Sequence, residues 1–332
     1  MPFIMSGCIE EDEFSNSPVG NFEALWDIVD RKYCFFEQAE QNFGLDWQQI
    51  YNEYRPRALA CENNSQLFDV LGDMLDELRD GHVNLSSIYG TSYYWDWKSN
   101  YPANFSDSLQ RNYLGSNFKL TNGIKYNIIK DSIAYSYIGS FESGFGSDNL
   151  SVMLMNLAHC KGLILDIRNN GGGMVTAAEG LASHFIAETT TAGYIQHKTG
   201  SGHNAFSSPK ELLLEPAKGA IWLKPVVILT NRGVYSAANY FIMLMKGLPH
   251  VLVIGDTTGG GSGLPLNSTL PNGWTVRFSA CPMLDKKGNH TEFGIAPDLK
   301  IDITSNDWNS GRDTMIEAAC TLIYSLYDKK SL

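Results

Sequence analysis

At 332 residues, 43% hydrophobic and 18% charged, the chain is long and apolar enough to bury a large core as one domain or two. Its formal net charge of −11 argues against nucleic acid as a partner, because neutralising phosphates needs clustered Lys and Arg and no basic stripe is present. No run of about 18 apolar residues is available to span a bilayer. The six cysteines have neither metal-ligand spacing nor the density of a disulfide scaffold, so no metal site is expected.

Residues 1–19 read as an acidic tail or tether containing Ser, Asn and Pro. Within it, Met5-Ser6-Gly7-Cys8 is similar to a bacterial lipobox, whose cysteine becomes lipidated and N-terminal. That likeness implies a lipid anchor at Cys8 and a place in the bacterial cell envelope, as a periplasmic or outer-membrane lipoprotein. The apolar stretch before Cys8 is too short for a signal peptide, so the start of the chain is expected to be truncated. The alternative is a tail with an incidental cysteine.

Residues 20–87 form a predicted N-terminal helical domain. Phe22, Leu25, Trp26, Ile28 and Val29 recur at helical spacing, as do Leu67, Val70, Leu71, Met74, Leu75 and Leu78. Asp46 is placed to cap a helix between them, which suggests three helices. Residues 88–122 are aromatic-rich (Tyr93, Tyr94, Trp95, Trp97, Tyr101) and without a clear period. They read as edge strands and loops, or as a wall of a substrate groove.

From Lys125 onward, short apolar runs alternate with helical ones. Strands are predicted over 133–138, 163–167, 225–230 and 251–255, with helices over 149–158, 175–186 and 236–246. A β-rich stretch over 266–283 and a helix over 313–326 follow. Continuous apolar strands in a βαβα rhythm predict an α/β core over 88–332, with a parallel-rich sheet covered by helices.

Four segments carry residues suited to acyl-transfer chemistry. Ser236 follows the strand 225–230 and a Gly-containing turn, and opens a helix. It is placed either to cap that helix or to act as a nucleophile, with the helix N-terminus favouring a developing oxyanion. Gly171-Gly172-Gly173 directly follow another buried strand; their amides, with that of Ala237, are suited to an oxyanion hole, or the triplet is only a turn. His82, in Asp80-Gly81-His82-Val83, sits at a helix stop, either as a structural histidine or as a proton acceptor facing a cleft. Glu292 is either a solvated loop residue or the carboxylate that orients an imidazole.

Taken in order, these segments resemble the S41 peptidases, which include C-terminal processing proteases and the tricorn core. The likeness rests on Asp80-Gly81-His82-Val83, on Leu163 to Gly173, on the Ser236 helix, on Gly255-Asp256-Thr257-Thr258-Gly259-Gly260-Gly261, and on Glu292-x-Gly294-x-x-Pro297-Asp298. It implies a ClpP/crotonase-like α/β core and hydrolysis of polypeptide substrates without metal or organic cofactor. The C-terminal processing branch uses a Ser–Lys dyad, but Gly261 stands at the lysine position here. The tricorn-like branch uses Ser, His and Glu. The resemblance therefore implies Ser236 as nucleophile, His82 as base, Glu292 as the orienting carboxylate, and Ala237 with Gly172 or Gly173 as oxyanion donors.

Processing proteases carry a PDZ domain after the helical region. The stretch between Ser87 and Ile124 falls below the ~50 residues at the small end for an independent domain. The aromatic residues Tyr94, Trp95 and Trp97 are then expected to take part in substrate binding. Two other functions are compatible with the same fold: a catalytically silent ligand- or peptide-binding protein, and an esterase.

Overall fold

The helical periodicity of the N-terminal region is realised in α1 (Pro18–Lys32), α2 (Phe36–Phe43), α3 (Trp47–Leu59) and α4 (Asn64–Asp76), followed by β1 (Asn84–Ser87) and β2 (Gly90–Thr91). After these come α5 (Asp107–Leu114), β3 (Lys119–Thr121), β4 (Ile124–Ile129), β5 (Ile133–Tyr137), α6 (Ser147–Asn156), β6 (Gly162–Asp166) and α7 (Val175–Ala182). Then follow β7 (Thr190–Ile195), β8 (Lys210–Leu214), β9 (Val226–Thr230), α8 (Ala237–Met245), β10 (Val251–Gly255) and β11 (Gly263–Thr269). The chain ends with β12 (Thr275–Leu284), β13 (Leu299–Lys300), α9 (Ser305–Asn309) and α10 (Thr314–Lys330). The structure is a computed structural model and describes residues 14–130 and 132–330. Cys8, and with it the lipid-anchor expectation, lies outside the described residues. Among the described residues no helix is long and apolar enough to cross a membrane.

The described chain divides into two compact units. The first runs to Tyr94 and gains 198–205 and Pro265–Ala280 from later in the sequence. Helices α1, α3 and α4 start where side chains satisfy their free amides: Ser17 accepts from Gly20 N (3.0 Å), Asp46 from Gln49 N (2.9 Å) and Asn63 from Gln66 N (3.0 Å). The periodic residues Phe22, Leu25, Val29, Leu67, Leu71, Met74 and Leu75 are buried. The region holds four helices rather than three. The additional one, α2, has only eight residues and is too short for its period to stand out. β1 pairs antiparallel with β2 and with the start of β12, placing Leu85 opposite Val276.

The second unit is built on a seven-stranded sheet in the order β13-β10-β9-β6-β5-β4-β3. Strands β5, β6, β9, β10 and β13 are parallel, and β4 and β3 add an antiparallel edge. One face is covered by α6, α7 and α8 through Leu150, Met153, Leu181, Phe241 and Leu244. The other is covered by α10 through Met315, Ile316, Ala319 and Ile323. Burial on both faces is why β6 and β9 read as unbroken apolar runs. The expected α/β architecture, a covered parallel-rich sheet with an N-terminal helical region, is the observed one. Where edge strands and loops were expected over 88–122, residues 107–114 are helical as α5.

At the end of β6, Arg168 is fully buried and holds Asp166 (2.6 Å) and Asp313 (2.8 Å). Tyr135 also donates to Asp166. The Asp166 pair and the Asp313 pair lock the C-terminal end of β6 to the start of α10, which fixes the turn that follows.

Candidate functional site

Because β6 and β9 are adjacent and parallel, the turns that leave them emerge at the same edge of the sheet. Two asparagines lace these turns together. Asn231 accepts from Asn169 N (2.9 Å) through Oδ1 and donates to Asn169 Oδ1 (2.8 Å) through Nδ2. Asn170 accepts from Gly172 N (2.9 Å) through its side chain, while its carbonyl accepts from Tyr235 N (3.0 Å). The glycines of this motif stand out in the sequence, whereas the part played by the two asparagines does not.

Ser236 N donates to Gly260 O (2.8 Å). The residue is held at φ 56°, ψ −124°, a positive-φ conformation that costs a non-glycine residue about 1–3 kcal/mol. It precedes α8, yet its side chain makes no capping bond. The capping role open to Ser236 from sequence is therefore not taken up.

Gly172 lies against this residue with φ +101°. A Cβ there would fall 2.8 Å from Ser236 Cβ and 2.9 Å from Ala237 N, so only glycine keeps that space open. Gly173 packs instead on the Phe141 backbone, where Phe141 N donates to Gly172 O and Met174 N to Phe141 O (both 2.8 Å). Neither bond uses the Gly173 N–H, whereas the Gly172 N–H is donated to Asn170.

Glu292 is buried rather than solvated, at 4% exposed. Its Oε2 accepts from Ser262 N (2.7 Å) and Gly263 N (3.2 Å), and its carbonyl accepts from Gly261 N (2.9 Å). Gly260, at φ +90°, packs on the Glu292 carbonyl so closely that a Cβ has no room. The loop that holds Ser236 N thus also seats Glu292.

Trp97 stacks on Tyr235, the residue before Ser236, at 4.4 Å between ring centroids. Its carbonyl accepts from Arg232 Nε (2.6 Å). Trp95 is half exposed, with the Lys98 ammonium 4.3 Å over its ring. These residues, with Ser236, Glu292 and the glycines, belong to the second unit.

His82 and the half-buried Tyr94 belong to the first. Beyond α4, Arg79 turns the chain at φ 51°. Asp80 Oδ1 then accepts from His82 N (2.7 Å), and Oδ2 accepts from Ser279 Oγ (2.7 Å) on β12. This Asx turn seats His82 at the entrance to β1. Burial pushes the imidazole down to about 4; Arg277 adds to the effect and Asp80 opposes it. His82 is therefore neutral near pH 7, the state a general base requires.

The profile described as Peptidase family S41 matches residues 132–301, about half of the chain. The Tricorn protease C1 domain profile matches residues 15–76. Carboxy-terminal processing protease CtpA of Bacillus subtilis is 29% identical over 145 residues, covering 43% of this chain and 29% of the relative. CtpB of the same organism is 25% identical over 173 residues, 51% of this chain and 34% of the relative. The chain thus spans about a third of the length of these curated relatives.

A crystal structure of a candidate peptidase from Parabacteroides merdae ATCC 43184 is 50% identical and covers 93% of this chain and 97% of its own, with a TM-score of 0.87. Mature CPAF, 13% identical, covers 93% and 98% at a TM-score of 0.73, a likeness of fold. With its family match over half its length, the chain belongs to peptidase family S41.

Proposed function

We propose that this chain is a serine peptidase that hydrolyses polypeptide substrates through an acyl-enzyme. Ser236 Oγ attacks the scissile carbonyl while His82 takes its proton, and His82 then delivers that proton to the leaving amine. Water, deprotonated by the same imidazole, releases the acyl group and regenerates the serine. Glu292 is assigned to orient the imidazole and stabilise its charged form; two amides on Oε2 hold its carboxylate in place. Ala237 N–H and Gly173 N–H are assigned to the developing oxyanion, because the Gly172 N–H is already donated to Asn170.

The observation that carries this reading is the backbone of Ser236. A strained, positive-φ serine at a helix start that does not cap the helix has a cost that a silent binding protein has no reason to keep. Trp97, fastened beside Ser236 through Tyr235 and Arg232, is assigned to the substrate groove, with Trp95 and Tyr94 as further contacts.

A fluorophosphonate probe tests the proposal directly. Wild type is expected to be labelled, with labelling abolished by Ser236→Ala and strongly slowed by His82→Ala. Labelling that survives Ser236→Ala would sink the assignment, and a wild type that resists labelling would point to the binding protein. Parallel ester and peptide libraries separate esterase from peptidase. The proposal extends to location: a lipid on Cys8 would hold the chain at a bacterial envelope, and incorporation of an alkyne fatty acid, lost in Cys8→Ser, would report it.

A further inference from the structure

Helix α8 runs Ala237-Ala238-Asn239-Tyr240-Phe241-Ile242-Met243-Leu244-Met245, and every residue in it is buried. Its one amide side chain, Asn239, is fully buried three residues after Ser236. Asparagine is a poor helix former and an apolar residue would pack there without needing partners. The structure shows where its polar groups go. Nδ2 donates to the carbonyl of Thr291 (3.1 Å), the residue before Glu292. Oδ1 accepts from the Thr258 hydroxyl (2.6 Å), and that hydroxyl in turn accepts from Ile295 N (2.7 Å). Thr258, also fully buried, lies on the loop that continues to Gly260, Ser262 and Gly263, the residues that bind Ser236 N and the Glu292 carboxylate.

We infer that Asn239 and Thr258 are positioning residues that fix the Glu292 carboxylate in register with the helix following the nucleophile, an inference that rests on the serine-peptidase reading above. Both flanks of Glu292, at Thr291 and Ile295, are tied to one side-chain pair on α8 and its neighbouring loop. Nδ2 and Oδ1 of Asn239 and the Thr258 hydroxyl each have a partner, and buried polar groups paired in this way define one geometry where apolar packing tolerates several. Neither side chain is assigned a substrate contact, so the network acts on the chemical step through Glu292 rather than on substrate binding.

The test uses the full chain with Thr258→Val, Thr258→Ser, Asn239→Leu and Ser236→Ala. Two readouts are needed: the rate constant of fluorophosphonate labelling as a function of pH, and kcat and KM on a fluorogenic casein substrate. Thr258→Val removes one hydroxyl at nearly constant volume, so it carries the test even where Asn239→Leu fails to fold. Thr258→Val is expected to slow labelling and lower kcat by about 10²-fold, the scale of a small misplacement of reacting groups, with KM nearly unchanged. Thr258→Ser, which keeps the hydroxyl, is expected to restore most of the rate.

A displaced carboxylate stabilises the imidazolium less, so the acid limb of the Thr258→Val profile moves to lower pH. A merely structural defect would reduce amplitude and leave the limb where it was. The inference is overturned if Thr258→Val labels at the wild-type rate, if Thr258→Ser is as impaired as the valine variant, or if the limb does not move. Labelling independent of Ser236 would instead remove the peptidase reading, and the positioning inference with it.

Discussion

At Ser236 the chain accepts a backbone conformation suited to glycine and forgoes the hydroxyl cap that a serine before a helix usually makes. Stability and the proposed chemistry therefore pull in opposite directions at this residue. Ser236→Gly relieves the strain and is expected to raise the unfolding free energy by about 1 kcal/mol, after the entropic cost of glycine is deducted. Ser236→Ala keeps the strain and should leave stability nearly unchanged. Both variants should be inactive. Chemical denaturation of the three proteins side by side checks this, and a glycine variant less stable than the alanine variant would contradict it.

His82 makes a prediction about pH with a definite sign. Its folded value of about 4 lies below the ordinary histidine value of about 6.5. Between these limits the unfolded chain binds a proton that the folded chain does not, so stability is complete above about 6.5 and falls as pH drops towards 4. At about 1.4 kcal/mol per unit, the total effect is on the order of 3 kcal/mol. Denaturation midpoints measured across this range should show the slope, and His82→Gln should flatten it. Labelling of the wild type should likewise persist well below pH 6.5.

At the scale of elements, the Asp80 turn is what joins α4 to β1 and places His82. Asp80→Ala strands two buried donors, His82 N and Ser279 Oγ. The expected cost is about 2–4 kcal/mol of stability, with slower labelling even where the fold survives. Thermal unfolding and labelling rates on one preparation read both effects. An unchanged melting temperature would show that the turn does not depend on this carboxylate.

Which elements were legible follows from how they are buried. β6, β9 and β10 announced themselves as unbroken apolar runs because helices cover both faces of their sheet. β7 and β8 did not. Their alternation is interrupted at Gly193, where the register shifts between Thr191 and Gly193. Helices α2 and α5, at eight residues each, span barely two turns and offer too little period to read. For the candidate site, the ordered motifs singled out Ser236, His82, Glu292 and Ala237, and left Gly172 and Gly173 as alternatives. Asn170, Asn231 and Asn239 were illegible, because their side chains reach segments tens of residues away, at Ile138, Asn169 and Thr291 respectively. The conformation of Ser236 belongs to the same class: a dihedral angle imposed by tertiary contacts has no sequence signature of its own.

At the scale of the whole chain, the first compact unit is assembled from three separate stretches, and its core depends on the latest of them. Trp274, 7% exposed, packs edge-on against Phe68 (5.7 Å) and Tyr89 (6.1 Å). Val276 and Phe278 are fully buried, and Val276 lies opposite Leu85 of β1. Asn272 N donates to Asn21 (2.9 Å), and Cys34 N donates to Ser279 O (3.1 Å). His203, from the middle stretch, stacks on Phe36 (4.0 Å) and bonds to Asp30 (2.8 Å). A fragment of residues 14–94 keeps all four N-terminal helices yet loses Trp274, Val276 and Phe278. At about 1.5–3 kcal/mol for each buried side chain, that loss alone is comparable to the 5–15 kcal/mol by which a domain is stable. The fragment is therefore expected to show helical circular dichroism without a cooperative thermal transition, and to bind a hydrophobic dye. A sharp transition near that of the full chain would mean that the helices form their core without β12.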